Sequence, residues 1–300
     1  MLPIGWVKSN QTHFMFETSL IELSQSALQK NINFIKKMIG DQIRLSSVIK
    51  GNAYGHGIDF FVPMAEKAGV QHFSVFSAYE AFQVIKNRQN GAGVMIMGSI
   101  DHEELLWAIE NEVEIFIFDL GRMENALQIA KKHQKQVKIH LHLETGMNRL
   151  GLEEHELLKG LELLKKYPNS FILEGVCTHF AGAESIANYV RIRRQIDYYQ
   201  RRITLLNQHD VFPKYQHTAC SAAMISYPET RLDMVRVGIL QYGFFPTQET
   251  LIQYIKEKED KTDPLDRVLK WKSKVMSIKY VTTGEFVGYG TTYLVKNDTR

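Results

Sequence analysis

Short apolar runs alternate along most of the chain with longer segments in which apolar residues recur at helical spacing. The apolar runs predict eight strands, at residues 44–50, 72–76, 94–97, 114–118, 137–143, 172–178, 215–220 and 234–237. The periodic segments predict amphipathic helices, for example at residues 58–68, 103–110, 123–133, 154–166 and 189–208. This alternation is typical of a parallel sheet. Eight strand and helix pairs favour a (β/α)8 TIM barrel, with the active site at the carboxyl ends of the strands.

The pattern changes after Gly243. A charged helical segment at residues 248–260 precedes two predicted antiparallel strands, at residues 271–280 and 286–294. Two or three strands are too few for an independently stable β-domain. We therefore expect the N-terminal strand at residues 14–21 to complete this domain, or the chain to be truncated at its C-terminus.

These elements predict two domains, a barrel over residues 22–243 and a smaller, incomplete β-rich domain made of residues 1–21 with 244–300. A length of 300 residues with 44% hydrophobic content suffices for a substantial core. The net charge is only +3, and the 36 basic residues are scattered among 33 acidic ones, so a nucleic-acid partner is not expected. The sequence has no signal-peptide pattern and no apolar stretch of membrane-spanning length, so we expect a cytoplasmic protein without a membrane partner.

The first barrel strand ends in VIKGNAYGHG, which contains Lys50 and Tyr54. A lysine at the end of an apolar strand is partly desolvated, which lowers its pKa and suits it to Schiff-base formation and proton transfer. The alternative is a lysine that extends from the barrel mouth into water. The glycines allow close approach of a ligand, and Tyr54 could donate a hydrogen bond to a phosphate.

The fifth strand places His140, His142 and Glu144 on one face. Such a set could bind a metal, but alternate Cα atoms along one strand are about 7 Å apart, so polar lining of the barrel is the favoured interpretation and no metal is predicted. Arg149 follows a glycine turn and is placed to bind an anion, the alternative being an ordinary surface arginine.

Polar residues also follow the last three strands. His179 follows the sixth, Ser221 the seventh and Arg236 ends the eighth, beside Gly238 and Ile239. The loops after strands seven and eight are the recurrent phosphate site of this fold, so Ser221 and the backbone amides of Gly238 and Ile239 form a candidate phosphate site. A lysine and a phosphate site on one barrel face indicate a pyridoxal phosphate enzyme.

The sequence resembles the alanine racemase family in six motifs that occur in family order. These are VIKGNAYGHG at Lys50, LETGMNRLG at Arg149, THFAGAES after His179, HTACSAA at Ser221, LDMVRVGILQYG at Arg236 and VGYGTTY at Tyr289. The resemblance implies a pyridoxal 5′-phosphate-dependent racemase with a barrel, a C-terminal β-domain and a head-to-tail homodimer whose sites take residues from both subunits. It further implies interconversion of L-alanine and D-alanine, a peptidoglycan precursor.

The resemblance also implies a role for each position. Lys50 is the Schiff-base lysine, and Tyr289 of the partner chain is the second base. The remaining residues would hold the cofactor. Tyr54, Ser221 and the amides of Gly238 and Ile239 would bind its phosphate, and His179 would lie against the face of its ring. Arg236 would contact the ring nitrogen, and Arg149 would contact the phenolic oxygen and the substrate carboxylate. Racemisation needs acid/base groups on both faces of a planar intermediate, which Lys50 and Tyr289 would supply. Arg236 only donates, so it would keep the ring nitrogen unprotonated.

Two positions depart from the family pattern. Many members carry a lysine, often carbamylated, where this chain has His142, and often an asparagine where it has Cys220. Three alternatives stay open: a racemase of serine, lysine or ornithine, a lyase of the same fold type, and a noncatalytic pyridoxal phosphate-binding protein or fragment. Arg236 argues against the lyase.

Overall fold

A computed structural model describes residues 18–256 and 258–300 of the chain. These residues divide into two compact units, one spanning Ser24–Val268 and the other made of residues 18–23 with Leu269–Arg300. Residues 244–268 lie in the first unit, whereas the sequence pattern groups them with the second. The division into a barrel domain over residues 22–243 and a β-rich domain of residues 1–21 with 244–300 stays a prediction.

The described strands are β1 (Ser19–Leu23), β2 (Arg44–Val48), β3 (His72–Val75), β4 (Gly93–Ile96), β5 (Glu114–Ile117), β6 (Val137–His142), β7 (Phe171–Cys177), β8 (Tyr215–His217), β9 (Met234–Val237), β10 (Leu269–Ser273), β11 (Phe286–Val287) and β12 (Tyr293–Leu294). The described helices are α1 (Gln25–Ile39), α2 (Lys50–Tyr54), α3 (Ile58–Lys67), α4 (Ala78–Asn87), α5 (His102–Glu110), α6 (Leu120–His133), α7 (Glu154–Lys166), α8 (Tyr189–Gln208), α9 (Ser221–Ser226) and α10 (Gln248–Ile255). All eight predicted barrel strands and the five predicted barrel helices are present.

Strands β2 to β9 form one parallel sheet in the order β8-β7-β6-β5-β4-β3-β2-β9. The last barrel strand in the chain, β9, pairs in parallel with the first, β2, so the sheet forms the nearly closed barrel that the sequence predicts. No ladder joins β8 to β9 within the described chain. Two backbone hydrogen bonds close this seam, from the Asp233 N–H to the Gln216 carbonyl and from the Arg236 N–H to the Ala219 carbonyl, both at 3.0 Å.

Helix starts are fixed by short polar side chains that accept a hydrogen bond from the first turn. The caps are Ser24 for α1, Ser77 for α4, Asp101 for α5, Asp119 for α6 and Thr247 for α10. These caps let each helix begin directly after its loop, and the apolar face of the helix then packs on the sheet.

The barrel strands are largely buried on both faces, as in other parallel sheets. On β6, Ile139 and Leu141 are fully buried on one face, while His140 and His142 are buried on the other. The barrel interior therefore holds polar side chains in addition to the apolar core between sheet and helices.

The second unit contains two antiparallel pairs. Strand β1 pairs with β10, with Ser19 opposite Ser273, and β11 pairs with β12, with Phe286 opposite Leu294. The predicted strand at residues 14–21 begins at Ser19 in the described part, and residues 14–17 lie outside the described residues.

Three predicted elements differ from the sequence prediction. Strand β10 ends at Ser273 rather than at residue 280, and α10 ends at Ile255 rather than at residue 260. The single strand predicted at residues 286–294 is instead a hairpin, whose turn includes Gly288 at φ 79°. Tyr289 lies in this turn.

No helix of the described ranges, residues 18–256 and 258–300, has the length and apolar character needed to cross a membrane.

Candidate active site

A cavity of about 710 Å³ lies at the carboxyl ends of the barrel strands. It is lined by all eight barrel residues that the sequence singles out: Lys50, Tyr54, Arg149, His179, Ser221, Arg236, Gly238 and Ile239. His142 and Cys220, the two departures from the family pattern, line it as well. Tyr289 belongs to the other compact unit and is fully exposed.

Lys50 lies directly before a left-handed turn rather than at the end of a strand, because β2 already ends at Val48, and it is exposed rather than partly desolvated as the sequence predicts. Residues 51–55 all have positive φ, including 53° at Asn52, 55° at Ala53 and 54° at Tyr54. Left-handed backbone costs about 1–2 kcal/mol for each residue with a Cβ. This turn, residues 51–55, therefore needs support from its surroundings.

Glu80, in the first turn of α4, provides that support. One carboxylate oxygen accepts hydrogen bonds from the N–H groups of Gly51 at 2.7 Å and Asn52 at 3.2 Å. The other accepts from the Phe76 N–H at 2.8 Å, beyond the end of β3. The sequence gives one signal for this residue, the capping-box pattern SAYE at residues 77–80, but that pattern predicts only a local contact.

A second brace holds the end of β2. The Ser47 hydroxyl donates to the Gln241 side-chain oxygen at 2.6 Å, and the Gln241 amide donates to the Val48 carbonyl at 2.9 Å. The Tyr242 hydroxyl donates to the same carbonyl at 3.3 Å. Gln241 and Tyr242 are both buried, so the strand that leads to Lys50 is tied to the loop after β9.

Tyr54, Ser221 and Gly238 meet at one edge of the cavity and form an anion cradle. The Gly238 N–H donates to the Ser221 hydroxyl at 3.2 Å. A Cβ at position 238 would lie 2.6 Å from the Tyr54 hydroxyl oxygen, so only glycine permits this approach. Burial, with a smaller effect of Cys220, raises the pKa of Tyr54, which keeps the phenol protonated as a donor. The two hydroxyl groups, beside backbone that no Cβ covers, can donate to a phosphate or another anion.

Arg236 lines the same cavity and is buried, with 5% of its surface exposed. One guanidinium nitrogen donates to the Thr178 carbonyl at 2.6 Å. The other donates to the His217 carbonyl at 2.8 Å and to His217 Nδ1. The guanidinium is therefore held in one orientation at the cavity.

Arg149 reaches the cavity from the loop after β6. Glu144, predicted on the same face as His140 and His142, instead lies beyond the strand. Its carboxylate accepts from the backbone N–H groups of Gly146 and Asn148, the latter at 3.0 Å. It therefore fixes the loop that carries Arg149.

Two imidazoles lie near these arginines. Burial, together with Arg236 and other nearby cationic groups, lowers the pKa of His142 and of His179 to about 3 each. Both rings are consequently neutral near pH 7. His142 Nδ1 is buried and has no hydrogen-bond partner among the described residues.

No group of three or more His, Cys, Asp or Glu side chains arranged to hold a metal ion is found among residues 18–256 and 258–300.

The comparisons with known proteins agree with this geometry. Residues 23–246 match the family described as "Alanine racemase, N-terminal domain". The chain is 30% identical over 283 residues to the alanine racemase of Leptospira interrogans, which covers 94% of this chain and 71% of that protein. The chain belongs to the alanine racemase family.

Solved structures of the family share the fold. Alanine racemase from Clostridium difficile 630 superposes with a TM-score of 0.82 at 27% identity, covering 95% of this chain and 72% of that one. Alanine racemase from Bartonella henselae with covalently bound pyridoxal phosphate gives a TM-score of 0.78 at 20% identity, covering 94% and 73%. Together with the sequence matches, these relatives indicate a racemase, which is an isomerase.

Proposed function

We propose that this protein is a pyridoxal phosphate-dependent racemase that interconverts L-alanine and D-alanine in the cytoplasm. One observation carries the proposal: a single cavity joins the amine of Lys50, the anion cradle and the buried guanidinium of Arg236. The relatives at about 30% identity that are named alanine racemase support the choice of substrate.

The residues present fit pyridoxal phosphate. The glycine at position 238 keeps open a space that a Cβ would fill, next to the hydroxyls of Tyr54 and Ser221, where a phosphate can accept hydrogen bonds. Lys50 supplies the amine that a Schiff base requires. When bound, this cofactor withdraws electrons from the amino acid and so acidifies its Cα hydrogen.

The remaining residues then bind and move protons. Lys50 would transfer the Cα proton on one face, and Arg149 would bind the substrate carboxylate with its fixed donors. Arg236 would contact the ring nitrogen and leave it unprotonated, because a guanidinium has no acceptor and keeps its own proton. His179 would lie against the ring as a neutral imidazole, in keeping with its lowered pKa.

We propose that Tyr289 transfers the proton on the other face, in the site of a partner subunit of a homodimer. Its ring is fully exposed in a hairpin turn, which leaves it available to a second chain. To accept a proton the phenol must be ionised, a form that a cationic group of the partner's site such as Arg149 would stabilise.

The decisive experiment is to incubate the protein and pyridoxal phosphate with single L-amino acids and to resolve the products on a chiral column. We expect D-alanine to form fastest. Faster formation of D-serine, D-lysine or D-ornithine would change the substrate, and the absence of any D-product would refute a racemase. Borohydride reduction and peptide mapping should find the cofactor on Lys50, and Lys50→Ala should abolish this labelling.

Mixed dimers test the role of Tyr289. Lys50→Ala and Tyr289→Phe subunits are each expected to be inactive as homodimers. After subunit exchange, one site of each heterodimer would contain both unmutated residues, so activity should return. If activity stays absent although exchange is demonstrated, the two residues do not act across subunits.

A further inference from the structure

A chain of hydrogen bonds runs through the barrel interior from Arg236 to Glu114. Arg236 donates to His217 Nδ1, and His217 Nε2 lies 2.8 Å from His140 Nδ1. His140 Nε2 lies 2.8 Å from a carboxylate oxygen of Glu114. The three residues beyond Arg236 come from strands β8, β6 and β5, so the path crosses the barrel.

The same carboxylate oxygen of Glu114 is also hydrogen-bonded to His72, on β3. His72 Nε2 lies 3.0 Å from it, and His72 Nδ1 lies 2.8 Å from the Ser46 hydroxyl. The Ser46 hydroxyl is hydrogen-bonded in turn to the Ser74 hydroxyl, with 2.5 Å between the two oxygens. His72, His140 and His217 are all fully buried, and 7% of Glu114 is exposed.

The chemistry of the two ends sets the direction of every donor in this path. Arg236 has donors only and an ionised Glu114 has acceptors only. Therefore His217 Nδ1 accepts, and a neutral His217 must carry its proton on Nε2. His140 Nδ1 then accepts and His140 Nε2–H donates to Glu114. The same reasoning makes His72 an Nε2–H donor to Glu114.

The electrostatics agree with this assignment. Burial alone would raise the pKa of Glu114, but the hydrogen bonds from His140 and His72 outweigh it and hold the pKa well below its usual range. Burial, and then the charge of Arg236, lowers the pKa of His217 well below its ordinary value. An ionised carboxylate and a guanidinium thus face each other through the imidazoles of His140 and His217.

We propose that Glu114 is a positioning residue for Arg236. Its carboxylate fixes the tautomers of His140 and His217, and these in turn present an acceptor, never a donor, to the guanidinium. Arg236 is thereby kept in one orientation at the cavity. Only the effect of this orientation on the reaction rests on the proposed function.

The hydrogen-bond direction can be measured on the protein without cofactor. Nitrogen-15 chemical shifts of imidazoles distinguish protonated from unprotonated ring nitrogens. In the wild-type protein, His72, His140 and His217 should each show a protonated Nε2 and an unprotonated Nδ1 at pH 7. A proton on Nδ1 of His140 or His217, or a doubly protonated ring, would overturn the proposal.

Two variants separate the acceptor from the rest of the side chain. Glu114→Gln keeps an oxygen that can accept from both histidines and should preserve the tautomers. Glu114→Leu removes the acceptor and leaves the His140 Nε2–H unpaired. Arg236 can give up its contact with His217 Nδ1, because it still donates to the His217 and Thr178 carbonyls, so His140 and His217 should show mixed tautomers. Glu174→Leu is the matched control, because Glu174 is also buried on a barrel strand but pairs with Lys214 at 3.0 Å and not with a histidine. Unchanged tautomers in Glu114→Leu would refute the proposal, and if that variant does not fold, the wild-type spectrum decides.

A second readout concerns reaction specificity. With cofactor and alanine, Glu114→Leu should raise the ratio of transamination to racemisation about tenfold, the factor expected for loss of one charge-assisted hydrogen bond. Glu114→Gln should stay within about twofold of wild type. An unchanged ratio in a folded Glu114→Leu protein whose tautomers are mixed would contradict the role of Arg236 orientation. Failure of the racemase assay in wild type would refute the proposed function and leave the nitrogen-15 result standing.

Discussion

The left-handed turn at residues 51–55 should depend on Glu80. Glu80→Ala removes the carboxylate that accepts three backbone hydrogen bonds, two of them from this turn. The amides of Gly51, Asn52 and Phe76 belong to residues that water can reach, because all three are exposed. Water therefore replaces part of each lost interaction.

The size of the effect follows from the two opposing contributions. Each hydrogen bond to Glu80 is worth about 1 kcal/mol net at such positions, so the two from this turn contribute about 2 kcal/mol. The left-handed conformation of Asn52, Ala53 and Tyr54 costs about 1 kcal/mol or more for each residue. Because this cost is at least as large as the contribution of Glu80, we expect Glu80→Ala to open the turn frequently. A loss of about 2 kcal/mol corresponds to exchange about thirtyfold faster.

Hydrogen–deuterium exchange followed by mass spectrometry measures this opening directly. Peptides that cover residues 49–58 should exchange about thirtyfold faster in Glu80→Ala, whereas peptides from α7 should be unchanged. Glu103→Ala is the control, because Glu103 lies in the first turn of another helix, α5, and is exposed. It therefore shares only the helix-dipole contribution. Equal exchange at residues 49–58 in the two variants would show that Glu80 does not hold the turn.

Three further predictions concern the cavity and its loops. Gly238→Ala would place a Cβ 2.6 Å from the Tyr54 hydroxyl oxygen, so the affinity for pyridoxal phosphate, measured by titration, should fall about tenfold or more; unchanged affinity would refute the cradle. The pKa of His142 is about 3 in the folded protein and about 6.5 unfolded, so its contribution to stability is complete above pH 6.5 and is lost as the pH falls toward 3. In urea unfolding between pH 6 and 4, His142→Gln should lose about 1.4 kcal/mol less per pH unit than wild type, and an equal slope would refute this assignment. Gly151 has a φ of 137°, and a Cβ added there would lie 2.5 Å from the Glu144 backbone nitrogen. Gly151→Ala should therefore lower the free energy of unfolding by about 2 kcal/mol, and a melting temperature within a degree of wild type would contradict the steric argument.

The barrel could be predicted from the sequence because each strand and helix carries its own periodicity. Lys50, Ser221 and Arg236 could likewise be placed in the site, since each ends a strand or follows one, and the ends of parallel strands meet at one face. These inferences need only local pattern and one rule of topology.

The supporting residues could not be found in this way, because their partners are distant in sequence. Glu80 is separated by 29 residues from Gly51, and its capping-box pattern predicts a local bond instead. His72 and Glu114 meet only because the register of β3, β4 and β5 brings them together, and register is not visible in an apolar run. Tyr289 could not be placed in a turn, because VGYGTTY alternates as a strand does while the glycines permit the hairpin.

The seam between β8 and β9 gives the anion cradle a mechanical role. Ser221 follows β8 and Gly238 follows β9, so an anion held by both residues links the ends of the two strands that no ladder joins in the described chain. Binding of that anion and closure of the seam would then be linked equilibria: a ligand that binds only the closed barrel adds about 2.7 kcal/mol to the cost of opening it at a hundred times its Kd. A phosphate group bound there would link β8 to β9 and would also hold a cofactor in the cavity.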